Sequence, residues 1–191
     1  MKIPDTRDHL SFAISCGSMS EFLDRWSSVY PDGKRDAEFY APFIGADLRN
    51  NWNALRSLFV WKNGQELSAA KEASVRHHYF ARWTEDAELA SRFLNPVHPG
   101  GAIWNIFYLH VRQPDRWPIF DQHSYRALRF IRTGEVLGDV LRDGPEAVYA
   151  AYREEYIPFI GDLGANKRKA DRALYAFGQF LKLAAPYCPA T

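Results

Sequence analysis

Cysteine is nearly absent from this sequence. Its 191 residues include two cysteines, Cys16 and Cys188, and no paired C-x-x-C spacing. A disulfide framework, a cysteine-ligated zinc site and an iron–sulfur cluster are therefore not expected. Low cysteine content is typical of a reducing compartment, so we expect a cytoplasmic protein.

Long apolar runs are also missing. No stretch approaches 18 uncharged apolar residues, and charges interrupt the first segment, "MKIPDTRDHLSFAIS". A membrane span needs about 20 such residues and an export signal needs an uninterrupted apolar centre. We therefore expect neither a membrane partner nor export.

The charge shows no excess of one sign. The 24 Lys and Arg residues nearly balance the 23 Asp and Glu residues, for a formal net charge of +1. A chain that coats nucleic acid along its whole surface is strongly basic. Any surface that binds nucleic acid here must be local.

Alternating strand patterns are scarce, whereas apolar residues recur at three- and four-residue spacing along nearly the whole chain. This period predicts an all-α fold in one compact unit over residues 1–191. With 15% aromatic residues, the chain has either a bulky core or a site that stacks on flat ligands. The predicted helices are 18–29, 36–44, 47–62, 67–80, 84–95, 101–112, 121–133, 144–158 and 166–184.

A tight turn over residues 95–101 joins two of these helices. It reads "NPVHPGG", with Pro99, Gly100 and Gly101 directly before the apolar helix "AIWNIFYLHV". A glycine-rich turn at the start of a helix leaves backbone N–H groups free to hold a phosphate. An ordinary αα-hairpin is the alternative interpretation.

The next segment, "WPIFDQHSYRAL", places Asp121, His123 and Arg126 at the start of a helix. Asp121 suits an N-cap, because aspartate accepts bonds from the first backbone N–H groups of a helix. The same groups keep the carboxylate ionised, which suits a catalytic role. The two interpretations are compatible.

The order of these motifs resembles the helix-hairpin-helix DNA glycosylase superfamily, the class of endonuclease III and of adenine and oxoguanine glycosylases. There, a hairpin L-P-G-x-G leads through one apolar helix to D-x-H-x-x-R; here Pro99 and Gly100 match the hairpin and Asp121, His123 and Arg126 match the second motif. The resemblance implies two helical lobes, a middle lobe over 47–133 and a second lobe over 1–46 and 134–191, with the hairpin and Asp121 at their junction.

The sequence also departs from that pattern. Ala102 stands where the hairpin has its second glycine, with Gly101 one position earlier, and the place of the lysine of lyase-competent members falls near Trp104. The cysteines of iron–sulfur members are missing. The resemblance therefore implies a monofunctional glycosylase without a cofactor, in which Lys62 and Lys71 are the candidates if an amine takes part.

By this resemblance Asp121 is the catalytic carboxylate. Cleavage of an N-glycosidic bond develops positive charge on the sugar, and a fixed carboxylate near the anomeric carbon stabilises that charge or activates a water. His123 then orients Asp121 or touches a phosphate, and Arg126 braces Asp121 or pairs with a phosphate. The alternatives are a solvent-facing histidine and a plain surface arginine.

A candidate base pocket combines aromatic side chains with one lysine. Trp104 and Phe107 lie on the helix after the hairpin, while Trp61 and Lys62 belong to "WKNG", which ends a helix. Such residues stack on and hydrogen-bond a flipped base. The alternative is a core helix with Asn63-Gly64 as its stop signal.

Basic residues suggest where a nucleic-acid backbone is held. Arginines cluster over residues 110–132, and a second cluster opens the last helix, where the helix dipole disfavours cations unless an anion is near. Asp171 is interpreted as an intrahelical or cross-helix partner for arginine and not as a catalyst, and His77-His78 lacks the spacing of a metal site. The predicted backbone-binding residues are Pro99, Gly100, Gly101, Arg112, Arg129, Lys167 and Lys169.

Three functions remain open at this point. The first is a DNA-base glycosylase that uses Asp121. The second is a non-catalytic nucleic-acid-binding module of the same fold, and the third is an all-α protein-interaction domain whose motif matches arise by chance. A strong salt dependence of DNA binding separates the first two from the third.

Overall fold

The computed structural model describes residues 16–82, 84–141, 144–164 and 166–187. These residues contain helices and no strand, which confirms the predicted all-α class. The N-terminal segment 1–15 and Cys188 lie outside the described residues. No helix in the described ranges has both the length and the apolar character needed to cross a bilayer.

The helices correspond in order to the predicted ones. The α-helices are joined or extended by π-helical segments at Asp36–Tyr40, Arg76–Phe80 and Ala151–Tyr156, and by 3₁₀ turns at Asp86–Glu88 and Ala185–Tyr187. The α-helices are α1 Met19–Ser28, α2 Gly33–Arg35, α3 Trp52–Asn63, α4 Ala69–Val75, α5 Leu89–Phe93, α6 Ala102–Arg112, α7 Gln122–Thr133, α8 Pro145–Ala150, α9 Ile157–Asp162 and α10 Lys167–Ala184.

Local capping sets the ends of α3. The helix was expected from residue 47, but it begins at Trp52 because the Asn51 side chain accepts a bond from Ala54 N and so caps it there. It ends where predicted, since Gly64 takes a left-handed conformation with φ 77°. This stop leaves Trp61 and Lys62 in the last turn.

The long helix α10 is the centre of the packing. It lies against α1 and, most extensively, against α7. Phe177 of α10 contacts Phe22 of α1 edge to face, with ring centroids 5.2 Å apart. The sequence assigned α7 to the middle lobe, 47–133, and α10 to the second lobe. The contact between these two helices therefore lies across the predicted lobe boundary.

Candidate functional site

One cavity of about 460 Å³ lies where the end of α3 meets the first turns of α6 and α7 and the side of α10. Five of the predicted site residues line it: Asp121, His123, Trp61, Lys62 and Trp104. They come from three helices that are distant in sequence. The cavity is therefore the candidate functional site.

Asp121 is the N-cap of α7 and forms a capping box with Ser124. Its Oδ1 accepts bonds from the backbone N–H groups of His123, at 2.8 Å, and Ser124, at 3.0 Å. The Ser124 hydroxyl accepts the Asp121 backbone N–H in return, at 3.0 Å. The cap therefore occupies one carboxylate oxygen and fixes the direction of the other.

Lys62 holds that second oxygen. Its Nζ lies 3.3 Å from Asp121 Oδ2 and donates to the carbonyl of Phe120 at 3.0 Å. The two side chains keep 6% and 17% of their surface exposed, Lys62 the smaller share. The pair is therefore partly shielded from water, and Asp121 keeps an open side toward the cavity.

This arrangement keeps Asp121 ionised. Burial raises the pKa of the carboxyl, but the positive charge of Lys62 and the two backbone N–H groups act against it. Their combined effect is larger, so the pKa of Asp121 lies below the usual value for aspartate. The cavity thus contains a fixed negative charge at neutral pH.

His123 bonds to Asp121 through its backbone N–H, while its ring contacts Arg126 and Tyr175. Its Nδ1 lies 3.2 Å from Nη1 of Arg126, and its ring meets Tyr175 edge to face at 5.1 Å. Because arginine only donates, this Nδ1 is an acceptor and the ring is neutral. Burial, outweighing the charge of Asp121, also lowers the pKa of His123.

Arg126 is fully buried, with 0% exposure, so it is neither the surface arginine nor a phosphate ligand. Its Nε and Nη2 donate to the carbonyls of Leu137 and Gly138, both at 2.7 Å, and its Nη1 donates to that of Gly178 at 3.3 Å. Arg126 therefore fixes the segment after α7, which continues to Val140 and Leu141 in the cavity wall.

Two tryptophans form aromatic walls. Trp61 is fixed by a bond from its Nε1 to Asp36 Oδ1, at 2.8 Å, and by stacking on Phe107 at 5.6 Å. Phe107 has 0% exposure and lies behind the wall, not in it. Trp104 packs on Phe59, and Lys71 Nζ lies 5.9 Å from its ring.

The predicted hairpin adjoins the same cavity. Gly101 is the N-cap of α6, and Ile103 and Trp104 in the first turn of that helix line the cavity. Gly100 is fixed by close packing, since a Cβ at this position would stand 2.2 Å from the hydroxyl of Tyr79. Pro99 and Gly101 are exposed. The exposed turn therefore directly precedes the helix that supplies Ile103 and Trp104 to the cavity.

The predicted backbone-binding cations are dispersed. Arg112 is paired with Asp86 at 2.6 Å, and Lys169 is paired with Asp24. Lys167 donates to the carbonyl of Asp115, and Arg129 lies half-buried beside Tyr125. None of these four lines the cavity. They do not form one strip beside Asp121.

Sequence reasoning missed the wall that α10 supplies. Asp171 and Tyr175, one turn apart, line the cavity together with Tyr30 and Asp32 from the segment after α1. The only available signal was the four-residue spacing of Asp171 and Tyr175 on a predicted helix. That signal does not reveal which neighbour the helix faces. Asp171 does pair with an arginine, Arg168, as interpreted from the sequence.

A buried ionic network lies behind Trp61. Both Arg168 and Arg172 donate to Asp36 Oδ2, and the Arg168 guanidinium lies 4.4 Å from the Tyr40 ring centroid. Although burial raises the pKa of Asp36, these arginines keep it below the usual value. The network connects α10 to the π-helical segment Asp36–Tyr40 and fixes the cavity wall.

No metal-binding cluster of three or more His, Cys, Asp or Glu side chains occurs within residues 16–82, 84–141, 144–164 and 166–187. Comparisons with protein-family models, with curated proteins and with solved structures found no match to this chain. The functional assignment therefore depends on the cavity itself.

Proposed function

We propose that this protein is a monofunctional N-glycosylase that hydrolyses the bond between a base and its sugar in nucleic acid. The observation that carries the proposal is an ionised, fixed Asp121 that opens on a cavity lined by Trp61 and Trp104. The base occupies the cavity, and Asp121 faces the anomeric carbon. The substrate strand lies across the hairpin turn that precedes α6.

The charge of the cavity supports this chemistry. Asp32, Asp121 and Asp171 line it, and Lys62 is the cationic side chain that lines it with them. An oxocarbenium-like transition state carries positive charge on the sugar, and the fixed negative charge of Asp121 stabilises it without reorganisation. A cavity that bound a phosphate in its interior would need the opposite charge balance.

The placement of Lys62 supports monofunctional chemistry. Its Nζ is engaged by Asp121 Oδ2 and by the Phe120 carbonyl, so it keeps the carboxylate ionised and orients it. An amine that attacks a sugar must be free of its proton and its partners. In this proposal Lys62 is a positioning residue.

Support for a nucleic-acid substrate comes from the position of the hairpin. The exposed turn at Pro99 and Gly101 precedes α6, and the exposed Lys71 has its Nζ 5.9 Å from the ring of Trp104. Backbone N–H groups at a helix start and one nearby cation can hold a phosphate without reading sequence. Stacking on Trp61 and Trp104 then retains an extruded base.

The test compares wild type with Asp121→Asn on duplex and single-stranded oligonucleotides that carry one damaged base each. Alkali cleavage then reports abasic sites. We expect base release by the wild type and a loss of at least about 1000-fold in Asp121→Asn, because the charge next to the sugar is gone. Asparagine still caps a helix, so the melting temperature should change little.

Ser124→Ala is the matched control, since it removes half of the capping box and leaves the carboxylate. It should lower the free energy of unfolding by about 1 kcal/mol and retain base release. Asp121 would be a structural cap if Asp121→Asn and Ser124→Ala lowered the free energy of unfolding equally and neither wild type nor Asp121→Asn released a base. Salt-sensitive DNA binding in that case would favour the non-catalytic module, and no binding would favour the protein-interaction domain.

A further inference from the structure

Asp171 is a second carboxyl in the cavity and differs from Asp121 in its surroundings. It lies on α10 with 7% exposure and borders the cavity that Asp121 opens on. Arg168 Nη1 donates to its Oδ2, and no other described residue bonds to this carboxylate. Asp171 therefore has one donor where Asp121 has three.

Arg168 bonds to both Asp36 and Asp171, but Asp36 has a second arginine partner and Asp171 does not. Asp36 accepts from Arg168, from Arg172 and from Trp61 Nε1, whereas Asp171 accepts from Arg168 alone. Burial raises the pKa of Asp171 to about 6, and the nearby charge of Asp121 acts in the same direction against Arg168 and Lys62. Two carboxyls with opposite shifts in one cavity are the arrangement that divides acid and base roles.

We propose that Asp171 is the general acid of the site, which protonates the leaving base while Asp121 stabilises the sugar. This inference rests on the proposed glycosylase function and defines its substrate class. It requires a base that departs as a neutral molecule only after gaining a proton. Asp171 borders the cavity from the side of α10.

The step balances as follows. The bond between C1′ and the base nitrogen breaks, its electron pair passes to that nitrogen, and the nitrogen takes the carboxyl proton of Asp171. Water forms the new C1′–O bond and gives one proton to Asp121. The products are the free base, a sugar with a 1′-hydroxyl, ionised Asp171 and protonated Asp121, which then exchanges its proton with solvent.

Asp171 can regain its proton from a side that the base does not occupy. Together with Ile119 it also borders a second cavity of about 420 Å³, which includes His110 and the exposed Asn166 and Lys167. Asp171 thus lies in the wall between two cavities. Titratable and charged groups surround Asp171 on several elements. They are Arg168 and Tyr175 on α10, Lys62 on α3, Asp121 and His123 at the start of α7, Asp36 and Tyr40 in the π-helical segment after α2, and Tyr30, Asp32, His110, Asp115, Tyr156 and Lys167.

The test measures single-turnover base release by wild type and Asp171→Asn on two oligonucleotides. One carries 8-oxoguanine or hypoxanthine, which are neutral, and the other carries 7-methylguanine, which is already cationic and leaves without a further proton. For the neutral base, Asp171→Asn should lower the rate about 100-fold. The wild-type rate should fall about tenfold per pH unit above about 6, and this fall should be absent in the variant.

For 7-methylguanine, Asp171→Asn and wild type should release the base at similar rates, which also shows that the variant is folded. Asp162→Asn, at the exposed end of α9, is the surface control and should match wild type on both substrates. Three outcomes would overturn the assignment of Asp171. They are a wild-type rate on the neutral base that does not change with pH, equal rates of wild type and Asp171→Asn on that base, and release of only the cationic base by wild type. Release of neither base by wild type would overturn the glycosylase function itself.

Discussion

Gly178 of α10 packs directly on the backbone carbonyl of His123 in α7. A Cβ at Gly178 would stand 1.9 Å from that oxygen, a distance that no relaxation of a side chain can relieve. The contact joins the helix that carries Asp171 to the turn that carries Asp121. The spacing between the two carboxyls therefore depends on the absence of a side chain at one position.

Gly178→Ala should force α7 and α10 apart. We expect the free energy of unfolding to fall by at least about 2 kcal/mol, measured by urea denaturation, because backbone atoms must move in a packed interface. Gly161→Ala is the control, since nothing lies within 4 Å of a Cβ there. It should be neutral or stabilise by up to about 1 kcal/mol. Equal effects of the two substitutions would contradict the close contact.

Arg126→Met should be strongly destabilising. It leaves the carbonyls of Leu137, Gly138 and Gly178 without their donor, and an unpaired buried polar group costs about 1–3 kcal/mol. We expect a loss of about 3 kcal/mol or more in chemical denaturation. Arg132→Met removes a half-exposed arginine of the same helix and should cost about 0.5 kcal/mol or less. A mild effect of Arg126→Met would show that solvent reaches these carbonyls.

Lys62→Met should raise the pKa of the Asp121 carboxyl, because the positive charge beside Oδ2 is lost. A carboxyl with a lowered folded pKa contributes stability above its unfolded pKa and loses it as the pH falls through the folded value. Acid unfolding of the variant should therefore begin at higher pH. The stability at pH 7 should fall by about 2 kcal/mol.

Carbon NMR of the aspartate carboxyls as a function of pH reads this change without any activity. Lys71→Met is the control, since Lys71 is exposed and donates to Asn63 Oδ1 at 2.7 Å. It should leave the Asp121 titration in place. An unchanged titration in Lys62→Met would mean that the cap alone sets this pKa.

His110 should make the fold sensitive to acid. The ring is buried between the Tyr40 hydroxyl and the Trp117 carbonyl, both at 2.7 Å, and burial lowers the pKa of His110 to about 3. The unfolded chain takes up a proton below about 6.5, while the folded chain does not until about pH 3. Stability is therefore lost as the pH falls from about 6.5 to about 3.

His110→Gln should reduce the slope of stability against pH in this range by close to one proton, or about 1.4 kcal/mol per pH unit. Thermal or urea denaturation at pH 4, 5, 6 and 7 measures it. His77→Gln changes an exposed histidine and should leave the slope as it is. The same slope in wild type and His110→Gln would rule out the neutral buried histidine.

The features that the sequence predicts well are local ones. Asn63-Gly64 stops α3 and Asp121 caps α7 because a helix end is decided by a few neighbouring residues. The helix order follows from the three- and four-residue period for the same reason. The grouping of Trp61, Lys62, Trp104 and Asp121 in one cavity matches the expected site composition, while the activity stays a proposal.

Long-range packing decides the rest. The sequence predicted that Arg126 braces Asp121 or pairs with a phosphate, with a plain surface arginine as the alternative. Its carbonyl partners instead come from a turn and from α10. Asp171 and Tyr175 enter the site only because Gly178 lets α10 approach α7 closely. No local pattern contains that distance.

The packing of α10 also has a consequence for synthesis of the chain. A nascent chain that ends before α10 already contains Asp121, Lys62 and both tryptophans, but it lacks one wall of the cavity and the partner of Phe22 on α1. Domains generally fold as units as the ribosome releases them. The cavity therefore closes after translation of α10, so a prematurely terminated chain displays its aromatic residues without an assembled site.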